Sequence, residues 1–107
     1  MCIRDSPKDL KEIISNQCED LQLIDIRDEF EHEICCIGGE KINMYSIAQN
    51  IEKISNKKKV VIYCRTGVRS AGIVNLLEKK FSFDNVYNLE GGIMKWREDV
   101  DPSLKEY

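Results

Sequence analysis

A chain of 107 residues, 42% hydrophobic and 33% charged, has room for one domain with a modest core. Its net charge of −3 carries no sign of a nucleic-acid or membrane-surface partner, and no apolar run reaches membrane-spanning length. Cys2, Cys18, Cys35, Cys36 and Cys64 are odd in number and lack Cys-x-x-Cys spacing, which argues against a disulfide framework or a zinc site. No metal or cofactor is expected, and free thiols fit the reducing cytoplasm.

Met1-Cys2-Ile3-Arg4-Asp5-Ser6 reads as the in-frame translation of a transposase adapter end used in sequencing libraries. Residues 1–6 are therefore set outside the fold as a sequencing-adapter scar, the native N-terminus is expected upstream, and the domain is taken as 7–107. Ser6 or its native equivalent would cap a first helix in which Pro7 is the first residue. Leu21 to Arg27 reads as a strand that ends in charge. With parallel strands, Asp25 and Arg27 lie on the same sheet edge as Cys64. They are either a surface pair worth little or the rim of a site.

Asp28 to Ile34 is a short acidic helix, with Phe30 and Ile34 spaced i, i+4 and expected to face the core. His32, the one histidine, falls among glutamates on what reads as an exposed face, a poor place for a catalytic base. Cys35 to Gly39 forms a turn, its cysteines read as loop residues with one buried, before a brief strand from Lys41 to Met44. Ile47, Ile51 and Ile54 follow helical spacing, which predicts an amphipathic helix over Tyr45 to Ser55.

The stretch from Lys59 to Gly72 carries the chemistry. Val60 to Tyr63 is β-branched and aromatic, too short for a helix, and reads as a buried strand ending at Cys64. From Ser70, a plausible N-cap, Ile73, Leu76 and Leu77 fall at helical spacing as far as Lys80. Cys64 then sits at the carboxyl end of a strand and faces a helix N-terminus, where open α/β sheets place their ligand crevices. Loop amides, the helix dipole, Arg65 and Arg69 all favour a thiolate there. A nucleophilic Cys64 outweighs a merely structural buried cysteine.

Cysteine phosphatases separate cysteine from arginine by five residues; here four separate Cys64 from Arg69. Such a cradle is too tight for phosphate but surrounds a single extra sulfur atom. Val86 to Leu89 is a short strand, Gly91 and Gly92 permit positive φ and close backbone approach, and Trp96 anchors the last helix. The tail from Asp101 to Tyr107 reads as extended. Strands alternating with helices predict a parallel α/β sheet with helices on both faces.

Three blocks, Leu23-Ile24-Asp25-Ile26-Arg27, Cys64-Arg65-Thr66-Gly67-Val68-Arg69-Ser70 and Asn88-Leu89-Glu90-Gly91-Gly92-Ile93-Met94-Lys95-Trp96, together resemble a rhodanese domain over nearly all of residues 7–107. The resemblance implies a five-stranded parallel sheet and a sulfurtransferase that carries sulfane sulfur as a Cys64 persulfide. It implies that the loop from Arg65 through Thr66, Gly67, Val68, Arg69 and Ser70 holds the sulfur, with Arg69 and Arg65 steering an anionic donor such as thiosulfate. A cysteine-desulfurase persulfide is the alternative donor.

Many rhodaneses carry Gly-His-Ile-Pro-Gly-Ala where this chain has Cys35-Cys36-Ile37-Gly38-Gly39-Glu40. That variant is more similar to the rhodanese domain at the end of some molybdopterin-synthase adenylyltransferase/sulfurtransferases, as is the tail with Asp101-Pro102-Ser103. This likeness implies a ubiquitin-like sulfur-carrier protein as acceptor, in molybdopterin or thiamine-type biosynthesis. Three other readings stay open: a stand-alone thiosulfate sulfurtransferase, a cysteine phosphatase or arsenate reductase on a related fold, and a non-catalytic interaction module.

Overall fold

The computed structural model describes residues 4–5, 8, 10–11 and 21–105. Their elements run β1 (Arg4–Asp5), β2 (Leu21–Asp25), α1 (Glu29–Ile34), β3 (Glu40–Lys41), a 3-10 helix (Ile47–Lys53), β4 (Lys59–Tyr63), α2 (Val68–Phe81), β5 (Val86–Leu89) and α3 (Gly92–Asp99). The strands form one parallel sheet in the order β1-β5-β4-β2-β3. This is the expected five-stranded α/β architecture, although β1 and β3 have two residues each. β1 lies within the segment set aside from the sequence; its pairing with Asn88 and Leu89 is a backbone register that says nothing of where the segment comes from. The expected cap Ser6 and first helical residue Pro7 lie outside the described residues, while Leu10, in helical backbone, is fully buried.

β4 is central, and its alternation splits the core. Val60, Ile62 and Cys64 point to one face, where they pack with Ile24, Ile26, Ile73, Val74 and Leu77. Val61 and Tyr63 point to the other, with Leu10, Leu89, Ile93 and Trp96. Each such buried aliphatic side chain contributes about 1.5–3 kcal/mol relative to exposure. α2 thus covers one face and α3 the other, so the carboxyl end of β4 is enclosed from both sides.

Four local expectations are corrected. Phe30 is 60% exposed, because α1 turns Glu31 inward instead. The segment after β3 is a 3-10 helix rather than an α-helix: Asn50 breaks it, with φ −123° and a side-chain amide that donates to Ser46 O at 2.7 Å. Ile47 and Ile54 are still buried, as their spacing requires. Ladder pairing in β3 ends at Lys41, although the Ile42 and Met44 amides still donate to Asp25 O and Ile26 O at 3.0 and 3.1 Å. The tail turns at Asp101–Ser103 instead of extending, and Leu104 O accepts a 2.8 Å bond from Arg97 Nε.

Candidate active site

The loop between β4 and α2 begins at Cys64 and closes at Gly67, whose φ of 92° places it in the left-handed region. That turn aims the Gly67 amide back at Cys64 Sγ, 3.1 Å away. One helical turn later the Ser70 amide reaches the same sulfur at 3.4 Å, and Ser70 Oγ lies 3.3 Å from it. Ser70 is therefore not the N-cap expected from its residue type. The helix starts at Val68, and the sulfur itself receives amides that a capping side chain would otherwise satisfy. Of the amides from Arg65 to Ser70 expected to hold the sulfur, those of Gly67 and Ser70 do so at hydrogen-bond distance.

α3 holds the loop from the opposite side. Ile93 N donates to Cys64 O at 2.9 Å and Met94 N to Arg65 O at 3.0 Å, so both carbonyls are turned toward α3. Gly92 makes that approach feasible: its φ is 64°, and a Cβ there would lie 2.5 Å from the Cys64 and Arg65 carbonyl oxygens. Cys64 has no exposed surface, whereas Arg65, Thr66 and Val68 are exposed, so the sulfur lies beneath its own loop.

Arg69 does not project freely over the sulfur. Its Nη1 and Nη2 donate to Glu31 Oε2 and Oε1 at 2.9 Å each, and Glu31 is 5% exposed. Glu31 Oε2 also accepts from Asp28 N at 3.0 Å, which fixes the start of α1.

Asp25 and Arg27 are fully buried, which removes the surface-pair reading. Arg27 Nε and Nη2 donate to Asp25 Oδ1 and Oδ2 at 2.9 and 2.8 Å, and Nη2 also reaches Cys35 O at 2.6 Å. His32, expected on an exposed face, donates from Nδ1 to Asp25 Oδ2 at 2.8 Å. Burial pushes the Asp25 carboxyl up, but bonds from Arg27 and His32 outweigh it and hold it below the ordinary aspartate value. The Arg27 guanidinium lies 5.4 Å from the centre of the Tyr63 ring, and Tyr63 OH donates to Gly38 O at 3.0 Å. Burial and the Asp25 charge push that phenol up. The network sits on the Tyr63 face of the sheet, opposite Cys64, and ties α1 and the turn after it to the strand ends. Cys35 is buried in that turn and Cys36 half-buried, as their reading as loop residues anticipated.

Residues 6–99 match the family model of the rhodanese-like domain. The chain belongs to that family. It is 30% identical over 105 residues to the "Probable adenylyltransferase/sulfurtransferase MoeZ" of Mycobacterium tuberculosis, covering 95% of this chain and 26% of that protein. It is 31% identical over 104 residues to the tRNA uridine(34) hydroxylase of Teredinibacter turnerae, covering 89% of this chain and 31% of the relative. The chain thus spans about a quarter to a third of the curated relatives it matches. Among solved structures, the Staphylococcus saprophyticus protein SSP1007 superposes with a TM-score of 0.79 at 28% identity, covering 97% of this chain and 99% of the other. Among the described residues of this rhodanese-like domain, no helix is long and apolar enough to cross a membrane.

One residue of the site was missed in the sequence. Asn88 is 5% exposed and accepts a short hydrogen bond from Ser70 Oγ through its Oδ1. Its Nδ2 donates to Gly67 O at 3.2 Å, which closes a ring of contacts behind the sulfur of the rhodanese-like site. The available signal was a lone amide in the strand Val86-Tyr87-Asn88-Leu89, on the face that Val86 shares with Cys64. A buried amide needs partners, so its place there announces a polar network.

Proposed function

We propose that this rhodanese-like domain is a sulfurtransferase that works through a persulfide on Cys64. The observation that carries the reading is the convergence of the Gly67 and Ser70 amides on one sulfur atom. Such donors stabilise an anion, whether the thiolate or the outer sulfur of a persulfide. The Cys64 thiolate attacks the sulfane sulfur of thiosulfate and expels sulfite, or attacks a protein persulfide and expels the donor thiolate. A nucleophile on the acceptor then takes the outer sulfur and returns the Cys64 thiolate. On this reading the donor approaches past the exposed Arg65, Thr66 and Val68, beneath which Cys64 is buried.

The pairing of Arg69 weighs against phosphate chemistry. The Arg69 guanidinium is already paired with the Glu31 carboxylate through two parallel bonds, which offsets the charge it would offer a phosphate. Identity to an adenylyltransferase/sulfurtransferase favours a ubiquitin-like sulfur carrier as a second kind of acceptor. The outer sulfur of the persulfide attacks its adenylated C-terminal glycine and expels AMP. A thiol reductant then attacks Cys64 Sγ of the acyl disulfide, forming a disulfide with Cys64 and releasing the thiocarboxylate. The free thiols at Cys35, Cys36 and Cys64 suit a reducing compartment, the cytoplasm on this reading. Mass spectrometry after incubation with thiosulfate tests the proposal. One added sulfur on Cys64, absent in Cys64→Ser, is the expected result. Sulfur transfer that persists in Cys64→Ser would refute it.

A further inference from the structure

The hydrogen bonds behind the sulfur have a fixed direction. Gly67 O can only accept, so the Asn88 atom 3.2 Å from it is the amide nitrogen. The other end of that amide, Oδ1, can only accept, so Ser70 gives its single hydroxyl hydrogen to Asn88. Ser70 Oγ therefore turns a lone pair toward Cys64 Sγ, 3.3 Å away, and that contact is favourable only while the sulfur is S–H and donates. When the sulfur loses its proton, the Ser70 hydrogen can become a third donor to it only by leaving Asn88. The buried Asn88 oxygen would then lose its partner, and an unmatched buried acceptor is costly.

We infer that Asn88 is a positioning residue which, by holding the Ser70 hydroxyl, sets the pH at which Cys64 becomes a nucleophile. The two amides stabilise the anion; the Ser70–Asn88 bond opposes it by withholding a third donor. The inference rests on Cys64 as the reacting group but not on sulfur transfer. Charged groups in the loop and on the elements packed against it include Arg65, Arg69 with its partner Glu31, Glu90 of the β5–α3 turn and Lys95 of α3. None of them is altered in the test.

The experiment is a double-mutant cycle read by iodoacetamide. The pH midpoint for alkylation of the Cys64 peptide is measured by mass spectrometry in wild type, Asn88→Ala, Ser70→Ala and the double variant. Asn88→Ala frees the hydroxyl, so the midpoint is expected to fall by about half a pH unit or more, the worth of one net hydrogen bond. In the Ser70→Ala background the same change is expected to move it little. An equal shift in both backgrounds, or no shift in either, overturns the inference. If Asn88→Ala does not fold, Asn88→Asp in the same cycle replaces it. There the midpoint is expected to rise, and by less without Ser70; an equal rise overturns the inference. Alkylation reads the sulfur directly, so this result is independent of whether thiosulfate loads Cys64.

Discussion

Glu31 and Arg69 lie 38 residues apart in sequence and meet through two parallel hydrogen bonds of 2.9 Å each. The pair joins α1 to the first turn of α2, the turn that supplies the Ser70 amide to Cys64. The Glu31 side chain is nearly buried while the Arg69 side chain is 33% exposed. Charge-assisted bonds of this kind are worth about 1.5–3 kcal/mol, less whatever solvent screens.

Glu31→Ala and Arg69→Ala are therefore both expected to lower the melting temperature, Glu31→Ala also losing the bond from Asp28 N at the start of α1. For a domain of this size about 1 kcal/mol moves Tm by roughly 4–8 °C. The double variant should lose little more than Glu31→Ala alone, because both changes break the same ion pair. Fully additive losses in thermal melts would show that the residues act separately.

Asp25 links pH to stability. Its folded carboxyl titrates below the ordinary aspartate value, so between the two values the unfolded chain binds more protons than the folded one. The contribution is complete above about pH 4 and is lost as pH falls from there through the lower folded value. Asp25→Asn leaves Arg27 buried beside a neutral amide and is expected to cost about 3–5 kcal/mol at pH 7. The difference from wild type should narrow in urea titrations run at progressively lower pH. A constant difference between pH 7 and pH 3 would disprove the assignment.

Gly92→Ala tests the close approach of α3 to the site loop. The left-handed φ costs a side chain about 1–2 kcal/mol, and the overlap with two backbone oxygens adds about 1–3 kcal/mol. The variant should be less stable by roughly 2–5 kcal/mol in denaturant titrations. It should also lose persulfide formation in proportion, since the displaced carbonyls belong to Cys64 and Arg65. Full activity and stability would mean that the helix can withdraw without cost to the loop.

Phe30→Ser is expected to change stability by no more than about 0.5 kcal/mol, since Phe30 is 60% exposed. A loss of about 3 kcal/mol in the same titrations, typical of a core aromatic, would restore the orientation read from its spacing.

What could be read in the sequence follows the physics that is local. Val60 to Tyr63 announced β4 by composition, and the spacing of Ile73, Leu76 and Leu77 announced the core-facing side of α2, although Leu76 is only half-buried. The paired glycines announced the close approach at Gly91–Gly92. What escaped was decided by distant partners. The six residues of α1 are oriented by Arg69 and Asp25, which engage Glu31 and His32, and that draws the helix away from the face Phe30 would have chosen. Ser70 looked like a cap because its hydroxyl suits one, yet a sulfur from the preceding strand accepts the amides. Spacing within a segment cannot reveal a partner contributed by another segment.

The bonds from Ile93 and Met94 to the carbonyls of Cys64 and Arg65 also order events during synthesis. The ribosome delivers the thiol some thirty positions before the helix that braces its loop, so a nascent chain carries an unfinished cradle. The bracing of that loop is complete only when the carboxyl-terminal part has emerged and docked.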